Sequence, residues 1–151
     1  MPLLDDTDKA ILNRIQSDFP ITSSPYASIA DDLGLSHTDV LRRVARLKEN
    51  GIIRRIGGNF FPYKLGFVST LCAAKVPEDK IDFFAETVNL YPGVTHNYQR
   101  DHEFNIWFTF IAPSMEEIES NLEKISQETG ISEIFNLPAI KVFKVKAHFD
   151  L

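Results

Sequence analysis

The chain has 151 residues, 44% hydrophobic and 25% charged, with seven Gly and eight Pro; these are the proportions of an ordinary folded protein, and they exclude a disordered, collagenous or disulfide-stapled chain. Sixteen Lys plus Arg against 21 Asp plus Glu give a net charge of -5, which argues against coating nucleic acid through a general positive field. The single cysteine, Cys72, rules out an intramolecular disulfide or a multi-cysteine metal site. With no apolar run of about 18 residues and no signal-like start, the cytoplasm is the expected location and no membrane is an expected partner.

Leu4, Ile11, Leu12 and Ile15 keep helical spacing behind an acidic first turn, Asp5, Asp6 and Asp8, which the helix dipole favours; this predicts a first helix ending near Ser17. Ser24-Pro25 opens a short second helix with Ile29 and Leu33 on its apolar face, stopped at Gly34. Ser36 and Asp39 form a capping box for a third helix, with Val40, Val44 and Leu47 inside and Asn50-Gly51 at its end. Three short helices with a tight turn before the third make a helix-turn-helix, whose outward Thr38, Asp39, Arg42 and Arg46 stand where base-reading groups would be. Ile52-Ile53-Arg54-Arg55-Ile56 reads as a strand, which predicts a winged form.

After Leu65 the pattern turns extended. Strands are expected at Phe67 to Val76, Val94 to Arg100, Phe104 to Ile111 and Ile140 to Phe149, with helices at Asp79 to Leu90 and from Ser114 to Gly130. The order β-α-β-β-α-β is that of a ferredoxin-like domain, so the fold class is α+β: a helix-turn-helix domain with linker strand over 1–64, then a ferredoxin-like domain over 65–151. Residues 1–64 carry nine Lys plus Arg and eight Asp plus Glu, whereas 65–151 carry seven and 13. A helical domain at net +1 is less basic than a dedicated DNA-binding domain, so DNA is not an expected partner.

One strand breaks the pattern. Alternation puts Val94, His96, Tyr98 and Arg100 on one face and Thr95, Asn97 and Gln99 on the other, and neither face suits a plain apolar core. Its neighbour is regular, with Phe104, Ile106, Phe108 and Phe110 inward and Asn105, Trp107 and Thr109 on the open face. His96 and His102 flanking Arg100 combine groups that can donate a proton, ligate iron or clamp a carboxylate. A solvent-exposed hairpin edge is the plain alternative. Arg54-Arg55 beside Gly57-Gly58 could hold an anionic ligand or serve as wing contacts to phosphate, and Lys144, Lys146 and His148 alternate along the expected last strand as a solvated edge would. No nucleotide, zinc or nucleophile-elbow motif is present.

The run from Arg42 to Ile53, followed by the βαββαβ domain, resembles the Lrp/AsnC family over nearly the whole chain. That family dimerises through the open face of the sheet and binds amino acids at a glycine-containing loop; here the loop Gln99-Arg100-Asp101-His102-Glu103 has no glycine. Ile53-Arg54-Arg55-Ile56-Gly57-Gly58-Asn59-Phe60, Tyr63-Lys64-Leu65-Gly66-Phe67, Gly93-Val94-Thr95-His96-Asn97-Tyr98-Gln99-Arg100 and Leu137-Pro138 to Phe143-Lys144 resemble a divergent branch, the siroheme decarboxylases of haem biosynthesis. The resemblance implies a carboxy-lyase that converts the acetates of rings C and D of siroheme to methyl groups, giving 12,18-didecarboxysiroheme, with a homologous subunit as partner in a heterodimer or, alternatively, a homodimer. It implies His96 as proton donor, with Tyr98 or His102 as alternates, and Arg54, Arg55, Asn97, Arg100, His102, Trp107 and Lys144 as substrate-binding residues. No separate cofactor is expected, since the macrocycle is its own electron sink; His96 or His102 could ligate the siroheme iron, and haem is a second tetrapyrrole the site could hold. Many members of the branch carry another histidine at the end of the third strand, where this chain has Phe110-Ile111-Ala112. Were that histidine catalytic, this chain would be the less active partner. The competing expectation is a DNA-binding regulator with a small-molecule or haem effector; a haem-binding subunit without chemistry of its own is the third.

Overall fold

The computed structural model describes residues 4–58, 60–144, 148–149 and 151. Two compact units form, one from Met1–Gly58 with Lys144–Leu151 and the other from Asn59–Phe143. Among the described residues, no helix is long and apolar enough to cross a membrane.

The first unit holds three helices, α1 (Asp6–Ser17), α2 (Pro25–Leu33) and α3 (His37–Glu49). Asp5 caps α1 by accepting from the Asp8 amide at 2.7 Å, and Ser36 caps α3 by accepting from the Asp39 amide at 3.1 Å. Ile11, Ile29, Val40, Val44, Leu47 and Ile53 close the core at 7% exposure or less, so the apolar faces expected from spacing are the packed ones. The expected wing strand does not form. The amides of Ile52 and Ile53 both turn back to the Leu47 carbonyl, at 3.0 and 3.1 Å, and Ile53 is drawn into the helical core, leaving 52–56 without a ladder.

An ion-pair network ties α1 to α3. Asp8, at 1% exposure, receives Arg43 Nη1 at 2.8 Å and Arg46 Nη2 at 2.5 Å. The same Arg43 reaches Asp5 at 2.7 Å and Asp39 at 3.0 Å, and Arg42 also pairs with Asp39. Three of the four side chains expected to face a nucleic acid, Asp39, Arg42 and Arg46, are thus engaged within the unit.

The second unit is a four-stranded antiparallel sheet in the order β2-β3-β1-β4, from β1 (Val68–Ala74), β2 (Val94–Gln99), β3 (Ile106–Ala112) and β4 (Ile134–Leu137). Helices α4 (Ile81–Asn89) and α5 (Met115–Thr129) cover one face. Their Phe84, Val88, Ile118 and Ile125 pack with Cys72, Ile106, Phe108 and Phe110 of the strands. Phe84 meets Phe108 edge-on at 6.3 Å, and Tyr91 meets Phe110 at 5.9 Å. Cys72 is fully buried, and burial pushes its thiol up to about 12; a thiol held protonated at neutral pH is no nucleophile. The fourth strand precedes Pro138, correcting the expectation of a strand from Ile140 to Phe149. Ile134 packs with the core and Asn136 bonds Thr70 and Met115, while Phe135 and Leu137 stand exposed, a complete alternation before the proline. Residues 140–144 and 148–149 are not strand, and Val145, Lys146 and Ala147 lie outside the described residues.

Arg43→Met should destabilise the helical unit by about 3 kcal/mol in denaturant melts, because buried Asp8 then keeps Arg46 as its one cationic partner among the described residues. Arg43 holds the carboxyls of Asp5 and Asp39 below their ordinary values. Folded values below unfolded ones contribute stability above the unfolded value, which is lost as pH falls. The same melts should therefore weaken below about pH 4 in the wild type and less so in the variant.

Candidate functional site

The polar strand takes its geometry from its neighbour. Gly93 accepts from the Ile111 amide at 2.8 Å, and a Cβ at Gly93 would collide with the Ile111 carbonyl and the Phe110 ring. After it, Val94 pairs with Phe110 but His96 pairs with Thr109, so one residue is extra and a bulge lies at Thr95. Val94 therefore packs against the core while His96 and Tyr98 turn to the open face, a correction to the expectation that all three share one face. Asn97 points the other way, its amide donating to Asn89 Oδ1 at 3.0 Å and to the Ala85 carbonyl at 3.5 Å on α4. That side of the strand meets the helix layer through these hydrogen bonds rather than through a plain apolar contact. Of the residues expected to bind substrate, Asn97 is the one this packing holds away from the open face.

On the open face the aromatic and cationic groups form a row. The His96 and Tyr98 rings stack with centroids 6.0 Å apart and planes 26° from parallel. The Arg100 guanidinium lies 6.0 Å from the Tyr98 centroid and 5.9 Å from that of Trp107, which faces Tyr98 across the pair of strands. Trp107 is fixed by its own Nε1, which donates to the Phe104 carbonyl at 2.6 Å. His102 Nδ1 accepts from the Phe104 amide at 3.1 Å, so in the neutral ring the proton sits on Nε2. The His102 ring stands beside Phe104, which in turn packs on Phe135 at 5.0 Å. Beside the hairpin end, Arg100, His102, Gln99 and Asn105 line a pocket of about 510 Å³.

Asn105, expected only as an open-face strand residue, proves to organise that hairpin. Its Oδ1 accepts from Val76 N at 2.9 Å and its Nδ2 donates to Val76 O at 2.8 Å, while its own carbonyl takes the Arg100 amide at 2.8 Å. Asparagine is disfavoured in strands, and its place beside the polar turn was the available signal.

Arg54, Arg55 and Lys144 belong to the helical unit and are exposed. Among the described residues, neither they nor Arg100 has a carboxylate partner, whereas Arg14, Arg42, Arg43 and Arg46 all do. Arg54 and Arg55 line a largely apolar cavity of about 930 Å³ with Ile15, Ile52 and Ile56. No group of three or more His, Cys, Asp or Glu placed to hold a metal ion occurs among the described residues.

Residues 64–144 match the model of the AsnC-like ligand binding domain, and residues 8–54 that of the siroheme decarboxylase NirDL-like HTH domain. The chain is 55% identical to the siroheme decarboxylase alpha subunit of Oleidesulfovibrio alaskensis, over 98% of this chain and 90% of that one. The chain belongs to the siroheme decarboxylase family. The alpha subunit of Desulfovibrio desulfuricans is 54% identical over 98% of this chain and 85% of its own. Among solved structures, the siroheme decarboxylase NirDL superposes with a TM-score of 0.70 at 33% identity, over 95% of this chain. This chain spans about half of that protein, 47%. AsnC of E. coli superposes with a TM-score of 0.81 at 19% identity, which speaks to the fold alone. The regulator alternative is accordingly not favoured.

Asn105→Ala would leave the buried Val76 amide and its carbonyl unpaired. It should cost the sheet unit about 1–3 kcal/mol by denaturant unfolding and speed amide exchange at Arg100.

Proposed function

We propose that this chain is a subunit of siroheme decarboxylase, working with a homologous subunit to remove the carboxyl groups of the two acetates at carbons 12 and 18 of siroheme without oxidation. The observation that carries the reading is the His96–Tyr98–Arg100–Trp107 row on the open face of the sheet, at a hairpin where an ordinary edge would be merely solvated. A flat aromatic and guanidinium surface suits a planar macrocycle, and an arginine with no carboxylate partner among the described residues suits its carboxylates through charge-assisted, bidentate bonds. The NirDL relative has been solved with an iron-uroporphyrin III analogue, also an iron tetrapyrrole rich in carboxylates, which supports the same substrate class here.

Each cycle breaks the bond between the acetate methylene and its carboxylate. Carbon dioxide leaves, and the electron pair stays on the methylene, where the adjoining pyrrole delocalises it. A proton delivered to that carbon completes the methyl group, and a second cycle treats the other acetate. His96 is the proton donor in this reading, with Tyr98 stacked on it and His102 as the second donor at hand. Arg100 holds a substrate carboxylate in this reading, and Arg54, Arg55 and Lys144 are further cations suited to carboxylates. No further cofactor enters the reaction, because substrate carbon loses and regains no electrons to another group. Haem, lacking the acetates, would bind without turnover.

Anaerobic incubation of the purified chain with siroheme, alone and with its homologous subunit, should release carbon dioxide, two per siroheme; absence of release from both samples would reject the reading. In the active sample His96→Ala should lower turnover about 10²–10⁴-fold while siroheme still binds, as expected for loss of a general acid.

A further inference from the structure

Both histidines of the hairpin are held at Nδ1, but by partners of different chemistry. At His102 the partner is the Phe104 amide, 3.1 Å away. A backbone N–H can only donate, so His102 keeps this bond only while Nδ1 is bare and its single proton sits on Nε2. At His96 the partner is the Thr95 hydroxyl, 3.2 Å from Nδ1. A hydroxyl oxygen can accept as well as donate, so it can hold an Nδ1–H in the charged ring and in the neutral ring alike. Of the two imidazoles, His96 is therefore the one that can gain and lose a proton at Nε2 while the bond at its other nitrogen stays intact. The bulge creates this pair. In a regular strand consecutive side chains leave by opposite faces, which would turn a hydroxyl away from the ring one residue on. Thr95 is the extra residue between the pairing of Val94 with Phe110 and that of His96 with Thr109; the alternation is interrupted there, and Oγ1 comes to the neighbouring ring.

We propose that Thr95 is a positioning residue for the decarboxylation: its Oγ1 accepts from Nδ1–H of His96 and so holds the ring with Nε2 as the atom that delivers the proton to the substrate methylene carbon. The proposal rests on the reading of His96 as the proton donor. In the charged ring both nitrogens carry protons. The electron pair left by departing carbon dioxide takes the Nε2 proton to form the new C–H bond, and the pair of the broken N–H bond stays on Nε2. The neutral ring retains the Nδ1 proton that Thr95 already holds, so nothing at Nδ1 has to rearrange as the charge moves. A proton from solvent restores Nε2–H for the second acetate. His102, with Nδ1 committed to a backbone donor, is suited to giving a hydrogen bond to a carboxylate rather than a proton to carbon.

Nitrogen NMR of isotopically labelled histidines in the full-length chain reads the tautomers directly. With the rings neutral, His96 should carry its proton on Nδ1 in the wild type and in Thr95→Ser. In Thr95→Val, which keeps the β-branch and removes the hydroxyl, the proton should move mainly to Nε2, the form an unconstrained histidine favours. His102 should stay protonated on Nε2 in all three, as evidence that the hairpin holds. In the assembled enzyme Thr95→Val should lower kcat about tenfold, near the worth of one charge-assisted hydrogen bond, with the siroheme Kd unchanged, and Thr95→Ser should restore it. His96 protonated on Nε2 in the wild type, or the same tautomer with and without the hydroxyl, would overturn the proposal even where His96→Ala abolishes turnover. Full turnover in His96→Ala would instead reject His96 as the donor, and the role of Thr95 with it.

Discussion

The inward packing of β3 is the constraint on which the candidate site depends. Ile106, Phe108 and Phe110 are each 2% exposed or less, and a one-residue slip would turn all three to water at about 1.5–3 kcal/mol each. That sum rivals the net stability of a small domain. With β3 locked, β2 must adapt, and it does so once, at the bulge after Gly93. Without the extra residue at Thr95, an unbroken alternation carrying Val94 into the core would take His96, Tyr98 and Arg100 with it. The bulge lets Val94 pack and still delivers an imidazole, a phenol and a guanidinium to the open face. Bulges commonly re-aim side chains next to functional sites, and here the re-aimed side chains are those of the proposed site.

Charge is divided in a complementary way. In the helical unit, the arginines of α1 and α3 are spent on carboxylates, with buried Asp8 at the centre. Among the described residues, the arginines left without a carboxylate partner are Arg54, Arg55 and, in the sheet unit, Arg100. Net charge alone could not have shown this, since a chain at -5 still presents local cations to a polycarboxylate. The same pairing removes Asp39, Arg42 and Arg46 from the role the helix pattern suggested for them, which agrees with relatedness to decarboxylase subunits at 51–55% identity against about 20% for the regulators.

Local rules made the helices legible. Ser36 and Ser114 cap where expected, and Gly34 and Gly130 end their helices in the left-handed region, because capping and termination depend on a few neighbouring residues. The polar strand was legible as an anomaly, and the family as a resemblance. Features set by distant partners were not. The 52–56 strand failed because its amides found the Leu47 carbonyl and its isoleucines a helical core. The last strand was misplaced because alternation after Pro138 resembled alternation before it, and only pairing with β1 chooses between them. Nothing in the spacing of Asn105 and Val76 announces a side chain bonded to both backbone groups of a residue far away in the chain.

The most direct test of the open-face site is an anaerobic absorption titration of siroheme into the assembled enzyme, comparing Arg100→Ala with Arg42→Ala. Both substitutions remove one arginine, but Arg42 is paired with Asp39 in the helical unit, while Arg100 lies between Tyr98 and Trp107. Loss of a charge-assisted bond to a substrate carboxylate corresponds to about tenfold or more in affinity, so Arg100→Ala should weaken binding by that factor and Arg42→Ala should leave it unchanged. Siroheme bound as tightly by Arg100→Ala as by the wild type would contradict the assignment of the open face as the site.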